Sequence, residues 1–118
     1  KVNIKALSVN QAWQGRRFKT EAYTKYEKDF CFLLPKLTIP EGKLSMKIEI
    51  GFSSKVADID NPIKPFLDIL QKRYDFDDKR IYHLEILKTN VKKGEEYISF
   101  FIEELSPLVS LLQDDKER

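Results

Sequence analysis

A chain of 118 residues with 21 lysines and arginines against 19 acids carries a formal net charge of +2. That balance fits neither a polybasic nucleic-acid arm nor an acidic tail, so any electrostatic specialisation must lie in where the charges sit. The lone Cys31 excludes an internal disulfide, no apolar run nears the ~20 residues of a membrane span, and no signal-peptide pattern opens the chain, so one cytoplasmic domain is expected.

Val2 to Leu7 alternates apolar and polar residues and predicts a short first strand. The loop after it places Trp13 and Phe18 among Arg16, Arg17 and Lys19. Such a mixture suits phosphate contacts with stacking on exposed bases, and equally a packed Trp with solvated cations. Thr20 and Glu21 start a helix whose apolar positions Ala22, Tyr23, Tyr26, Phe30, Leu33 and Leu34 recur at helical spacing until Pro35 ends it. Cys31, between Phe30 and Phe32, reads as a small buried hydrophobe. Lys43 to Phe52 is the cleanest strand, with Leu44, Met46, Ile48, Ile50 and Phe52 on one face.

Asn61 and Pro62 read as the cap and first residue of a second helix with the stripe Ile63, Phe66, Leu67 and Leu70, although Pro65 blurs its start. Tyr74 to Asp78 is a polar turn. Ile81 to Thr89 and Glu95 to Glu104 then read as two strands of a hairpin turning at Asn90 to Gly94. His83, the only histidine, lies inside a strand pattern without a second ligand at metal spacing, and is assigned a structural or surface role. The expected fold class is α+β: residues 1–105 form a single domain with a small mixed sheet of about four strands and two main helices packed on it. Residues 106–118 form a tail that is either a short docking helix or a frayed end.

Chemistry concentrates between Asp58 and Asp78. Asp58 and Asp60 are two apart, so in extended backbone both carboxylates leave one face and can converge on a hard cation. Mg²⁺ takes one or two carboxylates, keeps waters and accepts phosphate oxygens as further ligands. Lys64, one helical turn on, could meet charge developing on a phosphate, and Asp68 lies one further turn along the same flank. Taken singly, each of these residues is also an ordinary cap, turn or surface ion pair.

The block Asp58-Ile59-Asp60-Asn61-Pro62-Ile63-Lys64-Pro65-Phe66-Leu67-Asp68-Ile69-Leu70, closed by Phe76-Asp77-Asp78, resembles the signature of the RusA family of Holliday-junction resolvases. Ser8 to Thr20 is similar to that family's opening loop. The resemblance implies a homodimeric, Mg²⁺-dependent endonuclease of DNA recombination and repair, with Mn²⁺ able to substitute, that cuts four-way branched DNA symmetrically. It further implies Asp58, Asp60 and one acid of the pair Asp77-Asp78 as metal ligands, Asp78 being preferred with Asp77 in support, Lys64 as the active-site cation, Asp68 as a further family acid beside the site, and Arg16, Arg17 and Lys19 as DNA contacts. Two alternatives stay open from the residues alone. One is a junction- or DNA-binding protein without catalysis, and the other a metal-dependent nuclease acting on other branched DNA or on RNA.

Overall fold

The computed structural model describes residues 1–7, 13–14 and 18–105. Near the start, β1 (Trp13–Gln14) and β2 (Phe18–Lys19) pair antiparallel, Trp13 opposite Lys19. Helix α1 (Glu21–Leu33) follows, capped by Thr20, whose Oγ1 accepts the Tyr23 N–H at 3.1 Å. Tyr23 is the third helical residue, so the cap satisfies an N–H that has no partner within the helix. Pro35 disfavours helical dihedrals at Leu34, which is extended, and the helix stops there. Cys31 is half-buried rather than fully buried as expected, and desolvation raises its thiol pKa, the opposite of what an activated nucleophile requires.

Strand β3 (Leu44–Phe52) buries Leu44, Met46, Ile48 and Ile50 on the face predicted from their alternation. Helix α2 (Ile63–Tyr74) then runs along that face. Its start differs from the sequence reading by one residue: Pro62 occupies the cap position and Ile63 begins the helix. Pro65 therefore falls at the third helical position, where the missing N–H would have had no partner anyway, and the first helical bond is Phe66 N–H to Pro62 O at 3.2 Å. Asp75 closes α2 in the left-handed conformation, φ 53°. A single 3₁₀ turn (Asp78–Arg80) leads into β4 (Ile81–Asn90), and β5 (Tyr97–Glu104) follows.

The sheet order is β4-β3-β5, with β4 parallel and β5 antiparallel to β3. Among the described residues the chain is thus an α+β domain with a three-stranded mixed sheet and two helices. Three expectations change. β4 and β5 are not a hairpin: the α2 crossover commits β4 to one side of β3, so β5 takes the other and residues 91–96 pass the end of the central strand. Val91 N–H bonds Phe52 O at 2.8 Å as the chain crosses there. Val2 to Leu7 makes only an isolated antiparallel bridge, Val2 to Ile98, so the main sheet has three strands instead of about four.

An aromatic series joins the layers: Tyr26 meets Phe30 edge-on at 5.4 Å between centroids, Phe30 meets Phe66 at 5.6 Å, and Phe66 meets Phe100 at 5.6 Å. On the opposite sheet face Gly51 lies under the Tyr97 ring, its cross-strand partner, and a Cβ there would overlap that ring. Tyr97 is held in place by its hydroxyl contact with Thr89 Oγ1 at 2.9 Å. Gly51→Ala should therefore cost about 1–3 kcal/mol of overpacking in denaturant unfolding. An unchanged midpoint would show that the ring swings aside freely. Among the described residues, no helix is long and apolar enough to cross a membrane.

Candidate functional site

β3 ends at Phe52, and the segment 53–62 crosses from that end to the start of α2. Asp58 and Asp60 lie on this segment, and both are exposed. Asn61 Nδ2 donates to Asp58 Oδ2 at 3.0 Å, which orients one carboxylate and leaves its other oxygen for a ligand. The sequence suggested Asn61 as a helix cap; its amide instead positions the acid three residues before it. Ile63 N–H bonds the backbone carbonyl of Asp60 at 3.1 Å, so the Asp60 backbone is tied down while its carboxylate makes no ion pair or hydrogen bond to a described residue.

Lys88 fixes the approach to this pair. Its ammonium donates to the carbonyls of Lys55, at 3.0 Å, and Ala57. Strand alternation puts Lys88 on the same side as Leu84 and Ile86, and a lone cation on an otherwise apolar face is the signal the sequence reading passed over. A cleft of about 280 Å³ opens beside the pair, lined by Phe52, Ser53, Ser54 and Asn61 among others, with Asp58 on its wall.

Lys64 sits in the first turn of α2, mostly exposed, with its ammonium 3.3 Å from Asp68 one turn later. The two share a helix flank as their spacing predicted. Lys64 is solvated while Asp68 is half-buried, and an i,i+4 pair with one exposed partner is worth about 0.3–0.5 kcal/mol, so a phosphate could draw the lysine away at little cost.

Asp77 and Asp78 lie elsewhere. Asp77 Oδ1 accepts the Lys79 N–H at 2.9 Å as the cap of the 3₁₀ turn, and Gln71 Oε1 accepts the Asp78 N–H at 2.9 Å. Both therefore stand at the C-terminal end of α2, a 12-residue helix about 18 Å long, whereas Asp58 and Asp60 stand at its N-terminal end. The sheet agrees, since Ile81 pairs with the first residue of β3 while Asp58 follows its last. Within one chain Asp78 is not brought to Asp58 and Asp60, and among the described residues no three His, Cys, Asp or Glu side chains gather around one point. Within one chain the residues that could hold a hard cation are Asp58 and Asp60, and Mg²⁺ takes one or two carboxylates alongside phosphate oxygens and water. Arg16 and Arg17 lie outside the described residues, as does the tail 106–118, and Lys19 is placed only through its pairing with Trp13.

His83, given a structural or surface role from the sequence, has Nδ1 2.8 Å from Ser45 Oγ and Nε2 3.5 Å from Glu85. No family model matches this sequence, and no curated protein does. The RusA-like reading therefore rests on the motif residues themselves.

Proposed function

We propose that this protein is a Mg²⁺-dependent endodeoxyribonuclease acting on four-way branched DNA as a homodimer. The observation that carries the proposal is the exposed pair Asp58 and Asp60 at the end of β3, with Lys64 one turn into the next helix. Asp58 and Asp60 would hold the cation, and a bound Mg²⁺ supplies polarisation of the scissile phosphate and activation of water. Asn61 keeps the Asp58 carboxylate oriented. Lys64 exchanges Asp68 for the phosphate and stabilises the charge that grows on its oxygens, while Lys88 holds the loop so that this geometry exists before substrate arrives. Asp78, remote within its own chain, joins such a site only from a second copy, which gives dimerisation a chemical purpose. A four-way junction has two-fold symmetry, so two equivalent sites related by a dimer axis suit paired cuts, leaving 5′-phosphate and 3′-hydroxyl ends.

A synthetic four-way junction compared with linear duplex, in Mg²⁺, Mn²⁺ or chelator, tests this. Paired symmetric nicks on the junction alone, abolished by chelator, are expected. Binding without cutting in either metal would establish the non-catalytic alternative, and cutting of plain duplex or RNA would assign a different nuclease. Lys64→Ala should lower the single-turnover rate by about 10²- to 10³-fold with little change in junction affinity. Equal losses in rate and affinity would make Lys64 a binding group.

A further inference from the structure

The cleft beside Asp58 has a far wall that the proposed phosphate chemistry leaves unused. It runs across the end of the central strand, from Asp58 on the loop after β3 to Glu96, which immediately precedes the Tyr97 that pairs with Gly51. Glu96 is oriented to accept. Ser53 Oγ donates to its Oε2 at 3.0 Å, and the Gly94 N–H donates to its Oε1 at 2.7 Å. Its own backbone N–H and the Ser53 hydroxyl, helped by the Gly94 N–H and the charge of Lys5, hold the carboxyl below its ordinary pKa, so it is ionised at neutral pH.

An ionised carboxylate only accepts hydrogen bonds, and it repels the phosphate backbone of DNA. What it can hold on a nucleic acid is a base edge that offers an N–H. The cleft's volume of about 280 Å³ is near the lower bound of roughly 300 Å³ for small-molecule pockets, which suits a single nucleobase better than a base pair. Phe52, Ala57 and Pro62 supply apolar surface for the faces of a base, and Glu96 with Lys5 supplies an acceptor and a donor for its edge. We propose that the cleft takes one unpaired nucleobase carrying an exocyclic amine, from the nucleotide next to the phosphate at Asp58 and Asp60, with Glu96 as the group that selects it.

Cytosine, adenine and guanine each present an amine to such an acceptor. Thymine and uracil do not: their ring N–H lies between two carbonyl oxygens, so a carboxylate reaching for it meets like partial charge on either side. Extruding a base from a continuous duplex is costly, and a branch point lowers that cost because the stack is already interrupted there. The cleft's capacity for an amine stands on its own walls; only its place beside the cleaved phosphate rests on the nuclease function proposed above.

The test is titration of the full chain with nucleosides in the presence of chelator, followed by NMR at the backbone amides of Ser53 and Glu96. Deoxycytidine should bind about tenfold tighter than deoxyuridine, which has a carbonyl in place of that one amine. Deoxyadenosine and deoxyguanosine, each set against deoxyinosine, put the same question to the two purine amines and assign the base. Glu96→Gln, which keeps the side-chain volume and adds a donor, should bring the members of each pair within about twofold of one another. No preference for the amine in any pair, or binding that leaves the Ser53 and Glu96 amides unmoved, overturns the site, and a preference that survives Glu96→Gln overturns the role of Glu96. Where the wild type cleaves junctions of varied sequence, nicks should be about tenfold more frequent when one fixed position beside the cut carries the assigned base than when it carries thymine, and Glu96→Gln should even them out. Cutting indifferent to that base would remove the cleft from the substrate's path. Amine-selective nucleoside binding without junction cleavage would uphold the cleft and count only against the nuclease.

Discussion

Asp60→Asn should reduce junction cleavage by at least ~10³-fold while leaving junction binding intact or somewhat tighter. The substitution keeps side-chain volume, and the Asp60 contact that supports the fold is its backbone carbonyl, which Ile63 N–H still reaches. The carboxylate itself makes no ion pair or hydrogen bond to a described residue, so its removal strands no partner. What changes is charge: the pair with Asp58 drops from two negative charges to one, and affinity for a hard cation falls with it. Binding moves the other way, because a carboxylate facing a phosphate at ~4 Å costs about 1 kcal/mol in water-like surroundings. Cleavage retained within tenfold of wild type, with binding unchanged, would remove Asp60 from the chemistry. Binding lost together with cleavage would make the loop a docking surface.

Phe66→Ala should cost about 3–5 kcal/mol, enough to unfold much of the protein at 37 °C given that whole-domain stabilities are only about 5–15 kcal/mol. Phe66 is fully buried at the centre of the aromatic series, touching Phe30 of α1 and Phe100 of β5. The expected fall in Tm is roughly 10–20 °C for a domain of this size. A double-mutant cycle with Phe30→Ala should return a coupling of about 0.5–1.5 kcal/mol for the ring pair beyond area burial. A loss under about 1.5 kcal/mol for Phe66→Ala would mean that neighbouring side chains collapse into the space.

Where a local physical rule decides the outcome, the chain was legible. Thr20 and Pro35 bracket α1 because capping and the pre-proline clash act within a few residues. β3 showed its buried face because that face alternates without exception. Asp58, Asp60 and Lys64 fall at one end of α2 because short chain separation forces them together. The hairpin expected at Asn90 to Gly94 failed for the opposite reason. The turn residues there are genuine, Glu95 N–H bonding Lys92 O at 2.9 Å, but a turn does not choose which strand edge receives the chain. Lys88 was passed over and Asn61 was read as a helix cap, because each acts on a backbone or side chain that only the folded loop brings within reach.

The sequence by itself determined the α+β class, the two helices, the central strand and an acidic loop with a lysine one turn beyond it. These depend on periodicity, capping and spacing, all written within about a dozen residues. Only the tertiary structure decided that β4 and β5 flank β3, that Lys88 holds the acidic loop, and that Asp78 stands a helix length from Asp58 and Asp60. Those outcomes depend on long-range pairing, in which the direction of a crossover, set by the packing of α2 on the sheet, determines which ends of distant segments meet.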